Sequence, residues 1–409
     1  MVTTRRKLRS GRPVWEGRRA PSVAHERLAR DIKTDVLVIG AGITGAMIAD
    51  ALTSAGAKVA VVDKRGLAKG STVASTALVQ YEIDTPLIVL TRKIGKEKAG
   101  RAWCRCRLAV DAIAARFSEL GVSDVARRDS LYLAGNVLGK EELQREHEAR
   151  RAIGLPSRFL DRNALRDRFG LAKPAALMGY GNLVIDPRKA ALALLQAAAT
   201  SGARIFAPVD VTAVATKKAG VTVTAANGQR IHCDHLVFAT GYELPHGVTC
   251  RHHKINSTWA IATVRQARDA FWPGECCIWE ASDPYLYIRT TSDGRVLCGG
   301  EDEDISDDKK RDALIGPKTA TLQRKLHRLF PKLNTAVDYA WTGAFGETTT
   351  GLPIIGRVPG MPRCWVALGY GGNGTTYSAI AADVIAGAIA GRPDIDADLY
   401  RFPAHDAAK

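Results

Sequence analysis

A glycine motif between a strand and a helix constrains the fold of this 409-residue chain more than any other feature. Residues 35–39 (DVLVI) predict a short buried strand. The motif GxGxxG follows at once with Gly40, Gly42 and Gly45, and residues 46–55 then predict a helix. A strand, a glycine turn and a helix in this order are typical of a dinucleotide-binding fold.

A second strand and an acidic residue complete this unit. Residues 59–62 (VAVV) predict the strand, which ends in Asp63, 23 residues after Gly40. Gly42 lets the backbone approach a pyrophosphate, and Gly45 lets the helix pack closely on the strand. The carboxylate of Asp63 can accept hydrogen bonds from a ribose, while amides at the helix start face the phosphates. The pattern predicts a bound nucleotide that ends in adenosine.

The segments that follow favour FAD over NAD(P). Residues 70–76 (GSTVAST) are a run of small hydroxyl side chains, which suits a phosphate and a ribityl chain. A later strand, residues 234–238, ends in Ala-Thr-Gly at 239–241, and this order is typical of flavoproteins. The two basic residues after the acidic one, Lys64 and Arg65, leave an NAD(P)-dependent dehydrogenase of an alcohol or hydroxy acid as an alternative.

A second glycine-rich loop, residues 369–374 (GYGGNG), precedes another predicted helix that stops at Gly391. FAD is too long for one loop to hold, so residues 40–45 would bind the adenosine-pyrophosphate half and residues 369–375 would meet the flavin. Amides and the positive dipole at the helix start would favour the negative charge that the flavin gains on reduction. The two loops therefore predict one extended cofactor site.

On these segments, and on residues 351–356 (GLPIIG), the chain resembles the D-amino-acid oxidase type of FAD-dependent oxidoreductases over roughly residues 30–400. That family includes glycine oxidase, sarcosine oxidase, D-amino-acid dehydrogenase and γ-glutamylputrescine oxidase. The resemblance implies an α/β fold, with a Rossmann-like FAD-binding domain of the glutathione-reductase type interleaved with a substrate domain on a mixed or antiparallel β-sheet. It also implies oxidation of an amine or amino acid by hydride transfer to flavin N5 and hydrolysis of the imine, a reaction that needs no obligatory catalytic side chain.

The resemblance also sets the expected domain organisation. The expected segments are a basic N-terminal arm at 1–30, an FAD-binding domain at 31–92, 185–250 and 341–395, a substrate domain at 93–184 and 251–340, and a C-terminal tail at 396–409.

The residues expected to contact FAD come from the two glycine loops, the hydroxyl run and the strand ends between them. They are Gly40, Gly42, Ile43, Thr44, Gly45, Asp63, Lys64, Ser71, Thr72, Ser75, Thr76, Leu78, Val209, Ala239, Thr240, Gly241, Ile355, Gly356, Gly371, Gly372, Asn373, Gly374 and Thr375. No catalytic residue and no metal ligand is assigned.

A tyrosine-rich strand supplies the candidates for substrate binding. Alternation along a strand places Tyr285, Tyr287 and Arg289 on one face. Arg289 would grip a substrate carboxylate bidentately, as the family's active-site arginine does, unless it is an arginine at the surface. Tyr370 and His253 are further pocket candidates, as is Trp259.

Two departures from the family pattern bear on the cofactor. The sarcosine oxidases attach FAD through a cysteine, but residues 341–350 contain none, so we expect FAD to be non-covalent. Those enzymes also place a lysine over the flavin to activate oxygen, and residues 294–301 contain no lysine. A dye or quinone is therefore favoured over oxygen as electron acceptor.

Charge and cysteine content bear on partners and compartment. The net charge is +16, and residues 1–30 hold nine Lys or Arg but only two Glu. A solvated or surface-draped arm is favoured over a nucleic-acid arm, and a flavoprotein subunit with a basic interaction arm remains an alternative.

No signal peptide and no membrane span are expected, and the eight cysteines indicate free thiols in a cytoplasmic protein. Two charged segments, residues 140–151 and 301–311, predict a solvated helix and an exposed loop.

Overall fold

The computed structural model describes residues 2–246, 248 and 253–402. Cys250 and residues 403–409 of the expected tail lie outside the described residues.

Within the described residues the chain forms eighteen strands and nine α-helices. The strands are β1 (Arg9–Gly11), β2 (Ile32–Ile39), β3 (Val59–Val62), β4 (Leu78–Val79), β5 (Ala126–Leu133), β6 (Ser157–Asp161), β7 (Ala175–Val184), β8 (Arg204–Phe206), β9 (Val211–Lys217), β10 (Gly220–Ala225), β11 (Arg230–Phe238), β12 (His253–Thr263), β13 (Cys277–Glu280), β14 (Leu286–Thr290), β15 (Val296–Glu303), β16 (Val337–Thr348), β17 (Ile354–Arg357) and β18 (Cys364–Leu368). The helices are α1 (Ile43–Ser54), α2 (Leu87–Ile94), α3 (Lys96–Glu119), α4 (Lys140–Ala152), α5 (Arg162–Phe169), α6 (Pro187–Thr200), α7 (Asp308–Ala313), α8 (Ile315–Leu329) and α9 (Gly374–Ile389).

The first sheet has eight strands, in the order β17-β18-β11-β2-β3-β8, with the β9–β10 hairpin added to β11. Its central strands are parallel, and Ile39 at the end of β2 pairs with Val62 of β3 and Phe238 of β11. Helices α6 and α9 pack on α1, and the buried residues between these helices and the sheet form the largest apolar core. The carboxyl ends of three parallel strands therefore meet at one edge, where ligands bind in such sheets.

The turn at this edge has the geometry that the glycine motif predicts. Gly40 has φ +115°, in the left-handed region that glycine adopts easily. A Cβ atom on Gly45 would lie 1.8 Å from the carbonyl oxygen of Gly40, so only glycine lets α1 pack this closely on β2. Gly56, with φ +86°, follows the last turn of α1 as expected.

The second sheet has ten strands, in the order β1-β16-β12-β15-β14-β13-β5-β7-β4, with β6 paired to β7. All its pairs are antiparallel except β13 with β5, so the sheet is mixed, as predicted. Helix α8 covers one face and packs on β12, β15 and β16. The two sheets are built from segments that alternate along the chain. Strands β4 and β16 belong to the second sheet, although the expected boundaries place β4 and most of β16 in the FAD-binding domain.

The N-terminal segment is partly built into the fold. The expectation of a solvated or surface-draped arm is wrong for the part around β1 and Trp15, whereas most residues from 16 to 31 are exposed. Strand β1 pairs with β16, with Arg9 opposite Gly343. Trp15 is 1% exposed, and its Nε1 donates to the carbonyl oxygen of Ser75 at 2.7 Å. Most basic side chains of the segment are exposed, but Arg9 and Arg18 are partly buried and form ion pairs with Glu16 and Asp293. A pattern of charges could not reveal the pairing of β1, because the partner strand is more than 300 residues away.

The two charged segments are only partly solvated. Residues 140–151 form the predicted helix, but Glu146 and Arg150 on it are fully buried. In the other segment Glu301 is a buried residue of β15, whereas Asp307 caps α7 by accepting from the amide of Lys310 at 2.8 Å. No helix among the described residues is long and apolar enough to cross a bilayer.

Candidate functional site

One cleft, lined by residues of both sheets, brings most of the predicted site residues together. The predicted residues that line it are Gly40, Gly42, Ile43, Thr44, Asp63, Lys64, Ser71, Thr72, Ser75, Thr76, Leu78, Val209, Ala239, Thr240, Gly241, Tyr285, Tyr287, Gly371, Gly372, Gly374 and Thr375. Residues of both glycine loops and both tyrosines of the β14 segment therefore face the same space, although they are up to 335 positions apart in sequence.

Four of the predicted cofactor residues lie behind this lining. Gly45 packs α1 on β2. Ile355 and Gly356 belong to β17, and Ile355 is 1% exposed. Asn373 is 5% exposed and donates from Nδ2 to the carbonyl oxygen of Glu82 at 2.8 Å. These residues therefore lie outside the lining of the cleft, next to the segments that form it.

The turn after β3 is fixed by the carboxylate of Asp63. Its Oδ2 accepts from the amide of Ala41 at 2.8 Å, and its Oδ1 accepts from Arg65 at 2.7 Å and Gly66 at 3.1 Å. Burial raises the pKa of Asp63, and these backbone hydrogen bonds oppose the rise. Asp63 therefore holds the two turns of the nucleotide motif together, at the wall of the cleft.

The two basic residues after Asp63 both form ion pairs with one carboxylate. Arg65 donates from Nη1 and Nη2 to the two oxygens of Glu243, both at 2.7 Å, and Lys64 Nζ lies 2.8 Å from the same carboxylate. Although burial acts to raise the pKa of Glu243, its bonds to Arg65 and Lys64 hold it below its ordinary value. The observation that motivated an NAD(P) cofactor is thus explained by an internal ion pair.

The second glycine loop is anchored to the segment that follows β4. The amide of Gly372 donates to Asp84 Oδ2 at 2.6 Å, and a Cβ atom on Gly372 would lie 2.8 Å from that oxygen. Thr376 Oγ1 donates to the carbonyl oxygen of Gln80 at 2.8 Å. Because Gly374 and Thr375 line the cleft, α9 begins at the cleft wall and its first turn presents backbone amides there.

The end of the cleft near β14 is aromatic. The rings of Tyr285 and Tyr287 lie 5.8 Å apart, and the hydroxyl of Tyr287 is 3.1 Å from Thr258 Oγ1. Trp279 also lines this end and stacks on Tyr132, with ring centroids 3.7 Å apart. Of the further candidates, Tyr370 lines the cleft, His253 is partly buried behind it, and Trp259 is a core residue.

Arg289 does not join the tyrosines, and its assignment as a carboxylate anchor does not fit the structure. It is 3% exposed, and its Nη1 donates to the carbonyl oxygens of Ala77 at 2.8 Å and Ile185 at 2.9 Å. Burial lowers the pKa of Arg289 to about 10. Alternation along β14 predicted the correct face, but two residues add roughly 7 Å along a strand, which carries Arg289 beyond the cleft wall. Arg289 is thus neither a cleft residue nor a surface residue.

Several cleft residues were missed by the sequence reasoning. The missed lining residues include Val2, Thr3, Leu8, Gln80, Asp84, Tyr242, Glu243, Trp279, Ala344, Phe345 and Ser378. Most of them carry no local motif, since they reach the cleft through tertiary contacts. A local signal existed for Gln80, Tyr242 and Glu243, which closely follow predicted residues in the sequence. Ser378 also had one, because it lies one helical turn after Gly374 on the helix that the second loop begins.

Comparison with known proteins decides the family. A family model described as FAD dependent oxidoreductase (DAO) matches residues 35–388. The chain belongs to this family of FAD-dependent oxidoreductases. Members of the family oxidise amines and amino acids with FAD, and this confirms the predicted function, enzyme class and cofactor.

Individual relatives are distant but cover most of this FAD-dependent oxidoreductase. Gamma-glutamylputrescine oxidoreductase of Escherichia coli is 26% identical over 397 residues, covering 92% of this chain and 89% of its own. Glycine oxidase of Bacillus licheniformis is 24% identical, covering 88% and 94%. The solved structure of glycine oxidase from Geobacillus kaustophilus matches with a TM-score of 0.75 and 19% identity over 91% of this chain and 99% of its own, which confirms the fold.

The cleft of this FAD-dependent oxidoreductase fits the cofactor of its family. Two polar atoms of residues that line it, Ser71 Oγ and Gln80 Nε2, are buried and have no hydrogen-bond partner among the described residues, so they are free to bond a ligand. A Cβ atom on Gly42 would lie 3.0 Å from Thr72 Oγ1, so the glycine keeps this passage open. The NAD(P) dehydrogenase and the interaction subunit are not favoured by these findings.

Proposed function

We propose that this enzyme holds FAD non-covalently along the cleft and oxidises an amine at the tyrosine end. When bound, FAD supplies a two-electron acceptor for the hydride of the carbon that bears the amine. The single observation that supports this arrangement most is that both glycine loops and the tyrosines of the β14 segment line one cleft. The protein's own part is to bind and orient the amine and to exclude bulk water until the imine is hydrolysed.

The chain's residues divide these tasks. The turns fixed by Asp63 and the hydroxyl run at 70–76 would hold the adenosine, the phosphates and the ribityl chain. The first turn of α9 would place amides beside the flavin, where they stabilise negative charge. Tyr285 and Tyr287 would form the wall against which the amine rests.

Non-covalent binding is supported by the composition of the cleft wall, since none of its lining residues within the described part of the chain is a cysteine. The purified protein should be yellow, and denaturation should release free FAD into the supernatant. The released flavin should match FAD in chromatography and fluorescence. Flavin that stays with the precipitated chain would contradict this part, and a colourless protein that FAD cannot reconstitute would remove the proposal as a whole.

The electron acceptor that we propose is a dye or quinone in preference to oxygen. A positive charge beside the flavin would stabilise superoxide as it forms. In the described residues, the basic side chains that line the cleft are Lys64 and Arg65, and both are bound to Glu243 at the adenosine end. Stopped-flow measurements should show slow reoxidation of the reduced enzyme by oxygen and faster reoxidation by a quinone analogue. Reoxidation by oxygen that is as fast as by quinone would contradict this.

The substrate class can be found by a screen that needs no acceptor. Under anaerobic conditions the flavin should bleach with its substrate, and the screen should include D- and L-amino acids, N-methyl amines, polyamines and hydroxy acids. The names of the relatives, gamma-glutamylputrescine oxidoreductase and glycine oxidase, put amines and amino acids first. Bleaching by hydroxy acids alone would contradict the proposed amine oxidation.

A cytoplasmic location also stays a proposal. The seven cysteines in the described part of the chain are all free, and six of them are buried. Burial raises the pKa of Cys277 to about 12, which makes that thiol unreactive. Unpaired cysteines are typical of a reducing compartment. Cell fractionation of the tagged protein would test this.

A further inference from the structure

Two acidic side chains lie at the aromatic end of the cleft: Asp84 lines it, and Asp302 contacts the lining residues Tyr285 and Thr258 without lining it itself. Asp84 is exposed to the cleft and accepts from the amide of Gly372. Asp302, on β15, lies beside the hydroxyls of Tyr285 and Thr258, which act to lower its pKa. Burial raises the pKa of Asp302 to about 6, and the charge of Asp84 acts in the same direction.

One of these carboxylates lacks a partner. Oδ1 of Asp302 is buried and has no hydrogen bond within the described part of the protein. An unpaired buried acceptor is costly, and a buried carboxylate more so. Another acid, Glu347 on β16, contributes to the same field and acts to raise the pKa of both Asp84 and Asp302. These three acids therefore carry negative charge that is not neutralised among the described residues, and Asp302 Oδ1 lacks a hydrogen-bond donor there.

No basic side chain in the described residues neutralises this group. Lys254, on the neighbouring strand β12, lies 3.0 Å from Asp304 and is engaged there. His253 lies behind the cleft, and burial lowers its pKa to about 4, so it is neutral near pH 7. Arg289 is bonded to backbone carbonyls. The cations that line the cleft belong to the adenosine end.

The aromatic wall adds a second attraction for a positive charge. Tyr285 and Tyr287 line the cleft beside the acidic group, and Tyr242 and Trp279 line it as well. Faces of tyrosine and tryptophan rings attract ammonium groups when both are shielded from water. Carboxylates without counter-ions and aromatic rings together form a site that suits a cation and repels a carboxylate.

We propose that the enzyme selects a cationic aliphatic amine or diamine, held by Asp84 and Asp302 among the tyrosines, with no carboxylate beside the reacting carbon. This inference rests on the proposed function and narrows it from amines and amino acids to cationic amines. Asp84 and Asp302 are then the residues that determine specificity.

Two unreactive probes of the same shape test the proposal. tert-Butylammonium has no hydrogen on the carbon next to nitrogen, so it cannot be oxidised, and pivalate carries a carboxylate on the same hydrocarbon group. Each is titrated into the FAD-loaded enzyme at pH 7.5, and binding is read from the change in the flavin absorbance spectrum. We expect tert-butylammonium to bind at least tenfold more tightly than pivalate. Equal or tighter binding of pivalate, or no measurable binding of tert-butylammonium, would overturn the proposal.

Matched variants test whether Asp84 and Asp302 cause the preference for tert-butylammonium. Asp302→Asn and Asp84→Asn should each weaken tert-butylammonium binding by about tenfold to a hundredfold, because each removes one charge-assisted hydrogen bond. Asp304→Asn is the control, since its side chain is 70% exposed and pairs with Lys254. FAD content and melting temperature show whether each variant is folded, and a folded Asp302→Asn and Asp84→Asn that both bind the probe normally would contradict the assignment.

The substrate screen separates this inference from the proposed function. An enzyme that binds FAD and is bleached by amino acids at least as efficiently as by amines keeps the proposed function and loses the inference. An enzyme that binds no FAD, or is bleached by neither class, loses both. Bleaching by aliphatic amines with a kcat/KM at least tenfold above that of the α-amino acids is the expected result.

Discussion

The buried side chain of Arg289 stabilises the backbone by donating hydrogen bonds to carbonyl oxygens. Its guanidinium joins β14 to two segments that no strand pairing connects to it, through the carbonyl oxygens of Ala77 and Ile185. The residues before Ala77 form the hydroxyl run that lines the cleft. Arg289 thus holds the cleft wall in place from behind without touching its contents.

Substitution of Arg289 should therefore affect stability more than substrate binding. Arg289→Met removes the side-chain donor from these carbonyl oxygens, at about 1–3 kcal/mol for each buried group that is left unpaired. We expect a clear fall in melting temperature, while the apparent substrate constant changes by less than about threefold. Arg289→Lys should recover part of the stability, since a lysine donates to fewer carbonyls. A large rise in the substrate constant at unchanged stability would restore Arg289 as a substrate anchor.

Glu146 and Arg150 on α4 form a buried ion pair, with Arg150 Nε 2.9 Å from Glu146 Oε1. Glu146 also accepts from the amides of Leu87 and Ile88 at the start of α2, both at 2.9 Å. The guanidinium of Arg150 lies over the ring of Trp103, 4.5 Å from its centroid. One carboxylate therefore caps a helix and neutralises a buried cation.

Removal of one partner should destabilise the protein strongly. Arg150→Met leaves the charge of Glu146 buried and unpaired, at about 3–5 kcal/mol. Glu148→Gln on the same helix is the control, because Glu148 is exposed. The free energy of unfolding from urea titrations measures both. A loss below about 1 kcal/mol for Arg150→Met would show that water already compensates this pair.

At the scale of elements, the N-terminal segment spans both sheets. The amide of Thr4 donates to the carbonyl oxygen of Leu244 at 2.9 Å, and the carbonyl oxygen of Leu8 accepts from the amide of Ala344 at 3.0 Å. Arg65 Nη2 donates to the carbonyl oxygen of Arg6 at 3.1 Å. Because Val2 and Leu8 line the cleft, this segment covers part of it.

Deletion of residues 2–19 should weaken FAD binding. The deletion uncovers the cleft and removes the packing of Leu8 and Trp15 around it. Bound FAD should therefore dissociate faster on dilution, by about tenfold for each 1.4 kcal/mol by which the binding free energy falls. FAD fluorescence after gel filtration measures the retained cofactor. Arg5→Ala is the control, since this side chain is 64% exposed. Full retention of FAD by a folded deletion variant would contradict the covering role.

The elements that sequence predicted correctly are those set by neighbours in the chain. The strand, turn and helix around Gly40 follow from local glycine geometry, and the helix after residue 374 follows from its apolar face. The course of the N-terminal segment depends on a partner strand at residues 337–348, which no local pattern reveals. The depth of Arg289 and the burial of Glu146 likewise depend on packing between distant segments. Local chemistry thus predicted many of the residues that line the cleft, whereas the position of Arg289 outside it required the structure.

At the scale of the whole molecule, stability should depend on the acidic end of the cleft. The surrounding protein raises the pKa of Asp84 and of Asp302 to about 6. A carboxyl group with a raised pKa binds its proton more tightly in the folded state than in the unfolded state. Its contribution to the free energy of unfolding is therefore full below about pH 4 and is lost as the pH rises through about 6.

The FAD-loaded enzyme without substrate should therefore lose stability between pH 5 and pH 7.5. Asp302→Asn, which has no charge to bury, should make this loss smaller, and Asp304→Asn should leave it unchanged. Melting temperatures at both pH values measure the effect. An identical pH dependence in the parent enzyme and Asp302→Asn would show that solvent in the cleft already hydrates this carboxylate.

The pairing of β1 with β16 places an early-synthesised strand beside a late one, with Arg9 opposite Gly343. At a translation rate of about 5–20 residues per second, β16 leaves the ribosome roughly 15–70 s after β1. The first part of the chain must wait through that interval with the side chain of Trp15 exposed. On the ribosome, Trp15 fluorescence should stay open to a soluble quencher until residue 348 has emerged. The cleft is therefore closed by a strand pairing whose two partners are synthesised far apart in time, in one of the last steps of folding.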